Sequence, residues 1–387
     1  MIKRIATRTF EAFSSFQLTV VSMALLMALV LLCTLAQVEM GTVGAVNHYM
    51  RAWIVWWAPK ESAWLYPVFP GGTLVGLVFG LNLFAIMIKR LKFTWAKFGL
   101  WIVHVGLVLL VAGEFVSAVY QVDSRMAIEE GLTVNFTEDF REHELAVIDV
   151  TDPKHDDVYS VPRSLLAGGG TIRITGTPLE LRMKSFFLNA DLSNRGPMDP
   201  PSMATAGVGV NVKVAEAAPI ARDDENNRTT AFIEPLAGGR SYGTWLVSTV
   251  LGAPQSIVHE GRTYQFVMRP RRYYLPYSLT LKKFSHDLYP GTQIPKNFSS
   301  LVTLSHPAKG EQREVLIYMN QPLRYDGKAF YQASFGKQDT LTILQVVQNP
   351  GWLIPYISTI LVTLGLIVHF GMSLRRNTKR PTPAKEA

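Results

Sequence analysis

The sequence predicts a multi-pass α-helical membrane protein, with four transmembrane helices and a large outward-facing all-β domain between the third and the fourth. Three observations predict it. Four nearly charge-free stretches, residues 16–36, 72–88, 98–120 and 352–374, have the length of about 20 residues that a helix needs to cross hydrocarbon. Between the third and fourth lies a polar segment, 121–351, the size of a domain and too long for a loop. That segment is built from short β-branched and aromatic runs separated by Gly, Pro, Asn and Asp. The expected organisation is a three-helix membrane domain over 1–120, a β-rich domain over 121–351, a fourth helix over 352–374 and a basic tail over 375–387.

Charge orients the helices. The formal net charge is +8, and its surplus gathers in three places. Lys3, Arg4 and Arg8 stand at the start, Lys89, Arg90, Lys92 and Lys97 between the second and third stretches, and Arg375, Arg376, Lys379 and Arg380 in the tail. These are the positions that the positive-inside rule assigns to cytoplasmic segments. Both termini are expected in the cytoplasm, the protein in the cytoplasmic membrane, and the large domain on the periplasmic side. A surplus explained in this way leaves no support for nucleic-acid binding. A basic start before an apolar run also describes a signal peptide. The run is long, however, and "CTLAQVEMG" is a poor cleavage site, so a retained helix is expected.

The lone cysteine, Cys33, falls inside the first stretch. The β-rich domain therefore has no disulfide, no thiolate metal site and no CxxC pair, and the chain does not itself exchange disulfides. Residues 37–71 include "RAWIVWWAPKESAWLYPVFPGG", rich in tryptophan. They read as an interfacial helix with its rings at headgroup depth, or as a stacking surface for a flat cofactor. In the domain, runs such as "LAVIDV", "TYQFVMRP", "YSLTLKKFS", "REVLIYMN" and "LTILQVV" read as strands. "RYDGKAFYQ" reads as a hairpin, because Asp326-Gly327 supplies the positive φ angles of a tight turn. Crossover helices are missing, so a β-sandwich or an open barrel is expected rather than an α/β fold. "ARDDENNRTT" and residues 194–208 read as exposed loops.

The candidate functional residues lie mainly in the helices. An ionisable side chain in hydrocarbon is costly and commonly functional. His104 lies about seven residues inside the basic end of the third stretch, and His369 about five inside that of the fourth, roughly 8–10 Å deep at 1.5 Å per residue. Two neutral imidazoles at matched depth could clamp a haem iron axially. Each could instead bond a neighbouring carbonyl, or reach the interface. Gly99, Gly106 and Gly113 recur every seven residues and line one face, which would admit a second helix or a flat macrocycle. Glu114 stands near the far end of the same helix, with no evident role beyond an interfacial carboxylate. His143, His155, His259, His286 and His306 lack metal-ligand spacing and read as surface or turn residues. In "VMRPRRYYLPYS", Arg269, Arg271 and Arg272 beside three tyrosines suit an acidic peptide or propionates, or else a charged edge strand. No nucleophile elbow, HExxH or phosphate loop is present.

Several stretches carry a resemblance. "FGLWIVHVGLVLLVAGEFVSAVY", "PYSLTLKKFSHDLYPGTQIPKNFSSLVTL", "IYMNQPLRYDGKAFYQASFG" and "VVQNPGWLIPYISTILVTLGLIVHFG" are similar, in order, to segments of the ResB family of cytochrome c biogenesis proteins. Residues 180–270 are the least typical. The resemblance implies one subunit of the System II cytochrome c maturation complex, not catalytic alone but part of a cytochrome c synthase. It implies a partner of the ResC/CcsA type with a tryptophan-rich haem motif, which "WIVWWAPK" does not match. Apocytochrome c and a thioredoxin-like thiol reductant are the other implied partners. The cofactor would be haem b, transported or transiently bound, and presented to the CxxCH of apocytochrome c. His104 is carried over by motif as an axial ligand, with Gly106 and Gly113 beside it, while His369 rests on the depth argument alone. Two other readings remain open: a membrane b-type cytochrome for electron transfer, and an envelope assembly scaffold without cofactor.

Overall fold

Apolar stretches that satisfy their own backbone groups become helices wherever hydrocarbon offers no other partner. In the computed structural model, which describes residues 2–58, 64–91, 93–220, 226–292 and 295–378, there are six. They are α1 (Ile2–Phe13), α2 (Phe16–Ala45), α3 (Gly72–Arg90), α4 (Phe98–Tyr120), the short α5 (Arg163–Gly168) and α6 (Ile354–Thr378). Spans long and apolar enough to cross a membrane are Phe16–Met50, Gly72–Lys89, Trp95–Tyr120 and Ile354–Arg376. The chain forms two compact units, one from Met1–Val122 with Gln348–Ala387, the other from Asp123–Ile220 with Asp224–Val347.

In the helical unit, α4 covers the expected 98–120, whereas α2 runs well past the expected end at residue 36. Gln37 and Glu39 end the apolar run but not the hydrogen-bond ladder, and the helix bends only at Gly41, where φ is 71°. The amphipathic α1 is an addition: Lys3, Arg4, Arg8 and Glu11 break up its linear apolar run, so no membrane-length run marks it. Buried Asn82 of α3 holds the turn between α1 and α2. Its Nδ2 donates to the carbonyls of Phe13 (2.6 Å) and Ser15 (3.0 Å), and its Oδ1 accepts from Thr19 Oγ1 (2.6 Å).

The tryptophan-rich stretch is not the expected helix. It forms a hairpin of β1 (Ile54–Trp57) and β2 (Tyr66–Pro70). β-branched Ile54 and Val55 and the aromatic residues favour strand, and Pro67 and Pro70 exclude a helix interior. Residues 59–63 of the motif lie outside the described residues, as do 379–387 of the tail. Val55 and Phe69 point into a small core with Leu29 and Val75, while Trp53, Trp56, Trp57 and Tyr66 are exposed.

The other unit is all β apart from α5 and short helical turns. In chain order its strands are β3 (Val122–Glu129), β4 (Thr133–Asp149), β5 (Asp157–Pro162), β6 (Thr171–Arg173), β7 (Leu179–Phe187), β8 (Ala190–Asn194) and β9 (Val212–Glu216). There follow β10 (Thr230–Ala237), β11 (Arg240–Ser241), β12 (Trp245–Ser248), β13 (Gln255–His259), β14 (Arg262–Leu288) and β15 (Pro295–His306). The last are β16 (Glu311–Tyr318), β17 (Leu323–Tyr325), β18 (Lys328–Gly336) and β19 (Leu341–Gln348). β14 absorbs both "TYQFVMRP" and "YSLTLKKFS" and pairs antiparallel with β4 along most of its length.

This long ribbon serves two cores, one of each expected architecture. Its first half, with β5 and β13, faces the sheet of β6, β7, β10, β11 and β12 as a sandwich, burying Leu145, Val147, Leu181, Ile233, Tyr264 and Phe266 between them. Its second half enters a sheet ordered β16-β15-β14-β4-β3-β19-β18-β17. The two ends of that sheet, β16 and β17, are joined by a tight turn and contribute Ile317 and Leu323 to one core with Phe330 and Tyr277. The sheet therefore curls into an open barrel. Asp326 (φ 50°) and Gly327 (φ 73°) make the turn from β17 to β18, as the sequence requires.

Candidate functional site

The glycines of α4 decide its packing. A Cβ at Gly99 would stand 2.5 Å from the backbone nitrogen of His369, one at Gly106 2.8 Å from Val362 Cγ2, and one at Gly113 2.5 Å from Ile354 Cγ2. Gly365 of α6 answers them, its Cβ position being 2.7 Å from the backbone nitrogen of Val103. The close approach that Gly106 and Gly113 permit is thus taken by a helix. At the far end of the pair, Asn349 Nδ2 donates to Ser117 Oγ (3.0 Å) and Gln121 Oε1 (3.2 Å), tying the entry of α6 to the end of α4.

These contacts also set the register. His369 is level with Gly99, five residues before His104, an offset of about 7–8 Å along α4 at 1.5 Å per residue. The matched depth expected from the ends of the apolar runs is not realised, because contact between glycines, rather than the ends of the runs, fixes how the helices slide. The faces differ as well. At about 100° per residue, His104 lies roughly 140° around α4 from Gly99, in line with Val111 and Phe115. Those two residues meet α3, at Gly80 (3.2 Å to a Cβ there) and Gly76 (3.7 Å). His104 therefore belongs to the face turned to α3, and His369 packs on the face turned to α6. The pair does not clamp one group between α4 and α6.

Half-buried His104 has one ring nitrogen engaged: Nδ1 lies 2.8 Å from the carbonyl oxygen of Leu100, one turn earlier. A carbonyl only accepts, so Nδ1 donates, and in the neutral form of the ring Nε2 would be the nitrogen with the lone pair. An imidazole held in that tautomer through its other nitrogen is what axial ligation of a metal requires. The Nδ1 of His369 and the Nε1 of Trp101 are buried without a hydrogen-bond partner. Glu114 is exposed.

The arginine–tyrosine stretch is not a free cationic surface. It lies in β14, which along residues 267–277 pairs only with β4. β13 pairs only up to Phe266 and β15 only from Ser278, so the arginines stand on a locally open strand edge. Arg269 Nε bonds Glu144 Oε1 at 3.0 Å with both side chains buried, and Ser160 donates to the second carboxylate oxygen. Arg272 Nε bonds Glu138 Oε1 (3.0 Å), and Tyr273 donates to Asp139 Oδ2 (2.9 Å); burial, and then that hydrogen bond, pushes the phenol up to about 12. Exposed Arg271 lies over the Tyr273 ring.

Nor are the domain histidines all surface residues. His143 and His306 are buried, His259 and His286 nearly so, and His155 alone of the five is well exposed. Burial, and then Arg163, lowers the His143 imidazole below its ordinary value of 6.5. Isolated histidines in alternating strands gave no spacing signal that could have marked them as inward-facing. Among the described residues no group of three or more His, Cys, Asp or Glu could hold a bare metal ion.

Four apolar helices and a β-rich unit inserted before the last define a multi-pass membrane protein with a large extramembrane domain. Residues 243–343, from the approach to β12 into β19, match the model of the ResB-like family. The likeness to that family read from the motifs is thereby shown over this stretch. The chain is also 38% identical, over 98 residues, to Protein NrfI of Wolinella succinogenes. The match takes in 25% of this chain and 11% of the relative, so the chain spans about a tenth of the length of that protein. The family match does not include α4.

Proposed function

We propose that this chain is a subunit of a System II cytochrome c maturation complex. It receives haem through His104 on the cytoplasmic side and passes it outward for covalent attachment to the CxxCH of apocytochrome c. The observation that carries the reading is the Leu100 carbonyl on His104 Nδ1, which presents Nε2 as a free lone pair within an apolar helix. His104 would hold the iron, Leu100 would hold the ring, and the α3-facing side of α4 would keep water away. When bound, haem supplies the vinyl groups that the cytochrome thiols attack. The partner is a ResC/CcsA-type membrane protein. A further ligand to the iron would come from that subunit, because His369 faces elsewhere, and the same geometry disfavours a resident b-type haem held by both imidazoles. In this reading both termini and the α3–α4 loop face the cytoplasm and the β-rich unit lies outside, an orientation that the basic segments support.

His104→Ala, expressed with the partner, should insert normally, yet lose both co-purifying haem and c-type cytochrome assembly. Holocytochrome at the wild-type level in that variant would sink the reading.

A further inference from the structure

The open barrel holds a second imidazole with one nitrogen fixed and the other unclaimed. His286, near the end of β14, has Nδ1 3.3 Å from Asp339 Oδ1 and 3.4 Å from Oδ2. A carboxylate accepts only, so in the neutral ring Nδ1 carries the proton and Nε2 keeps its lone pair. That Nε2 is buried and has no hydrogen-bond partner. Its surroundings are aromatic: the rings of Phe298 and Phe335 each lie 4.7 Å from the imidazole, and Phe284 lies 5.6 Å from Phe335. A buried acceptor left unpaired costs about 1–3 kcal/mol, which an apolar residue in its place would avoid.

The turn that delivers Asp339 is strained. Lys337, Gln338 and Asp339 have φ of 49°, 54° and 66°, three consecutive left-handed residues of which none is glycine. Each costs on the order of 1 kcal/mol. The turn is held at both ends, by an ion pair of Lys337 with Glu129 and by the Glu130 amide donating to the Thr340 carbonyl (2.9 Å). Strain kept in place by two anchors, with its product a carboxylate on His286, points to a functional arrangement rather than a packing accident.

We propose that His286 is an axial ligand, through Nε2, for a metalloporphyrin at the outer β-rich unit, with Asp339 as its positioning residue. A bare metal ion needs three or four protein ligands, and no such cluster exists among the described residues. A porphyrin brings four ligands of its own and asks the protein for one imidazole and apolar walls. Phe335, 37% exposed, is the ring that the ligand displaces. That the natural ligand is haem rests on the function proposed above; the fixed tautomer and the unclaimed Nε2 do not.

The test titrates ferric protoporphyrin IX into the detergent-purified full chain, read by Soret absorbance and electron paramagnetic resonance. It compares wild type, His104→Ala, His286→Ala and the double variant. The expected result is a binding step with an imidazole-ligated spectrum that survives His104→Ala and is lost in the double variant. Asp339→Asn should weaken that step about 10–100-fold without changing its spectrum. Phe335→Ala should speed binding. His286→Gly should recover the spectrum on adding free imidazole, which separates lost ligation from lost folding. Identical titrations with and without His286 in the His104→Ala background would overturn the proposal, and so would the absence of any binding there. If His104→Ala matches wild type while His286→Ala loses the signature, the proposal at His286 stands and the reading of His104 falls.

Discussion

Gly99 of α4 faces the backbone nitrogen of His369 on α6, with only 2.5 Å between that nitrogen and where a Cβ would stand. The obstacle is backbone, which cannot rotate away. At Gly113 the nearest obstacle is a methyl of Ile354, with its Cβ further off at 3.0 Å, so a shift of that side chain relieves part of the clash. Gly99→Ala should therefore destabilise the helix pair by about 1–3 kcal/mol, as overpacking does, and Gly113→Ala by less. The thermal midpoint of the detergent-solubilised chain measures both. Equal effects would mean that α6 slides freely on α4.

The same contact shows what the sequence could and could not disclose. Apolar length alone located α4 to the residue, because nothing but a helix satisfies a backbone in lipid. The relative depth of His104 and His369 was not legible, since the register is set by Gly99, Gly106 and Gly365 meeting across the pair. In the β-rich unit, Asp326-Gly327 announced its own turn, whereas β14 was read as two strands. Pro270 and Pro276 look like breakers, yet shifts in register beside them let the ladder with β4 continue. The tautomer of His104 was beyond reach as well, because any helical residue offers an i−4 carbonyl and only the rotamer selects it.

Glu144 and Arg269 tie β4 to β14 where the sandwich gives way to the barrel, and both are buried. Removing either alone leaves a charge without its partner in low dielectric, at about 3–5 kcal/mol. Glu144→Gln and Arg269→Met should each destabilise the unit by that order, read as a lower urea midpoint. The Glu144→Leu/Arg269→Met pair should recover a good part, as buried pairs replaced by apolar groups commonly do. A double variant no better than the sum of the singles would refute the coupling.

Asn82 satisfies two carbonyls and one hydroxyl at the α1–α2 turn. Asn82→Ala removes all three bonds in an apolar setting and leaves Thr19 and the Ser15 carbonyl only their long mutual contacts of 3.4 Å. The loss costs about 1–2 kcal/mol in such helices, and should loosen α1 while sparing α4 and α6. Limited proteolysis near residue 14 should then become faster, with the Ser117–Asn349 tie intact. Unchanged cleavage would show that α1 is held by other means.

His143 gives the β-rich unit a stability that depends on pH. Its Nδ1 donates to Thr229 Oγ1 at 2.9 Å, and the threonine hydroxyl is in turn donated to the Leu188 carbonyl (3.0 Å). Burial, then Arg163, lowers the imidazole below 6.5, Arg125 adds to this, and only Asp139 opposes it. The unfolded chain therefore binds the proton more readily than the folded one. This contribution to stability is complete above pH 6.5 and is lost as the pH falls through the lowered folded value. Glu234 adds a second loss at lower pH. Lys184 and Ser241 hold its carboxyl at about 2 against an ordinary 4.5, so its contribution fades as the pH falls from 4.5 toward 2. Melting temperature against pH should show two declines, the upper one beginning near 6.5. His143→Gln should remove the upper decline and leave the lower, and an upper decline that persists in that variant would assign it to another group.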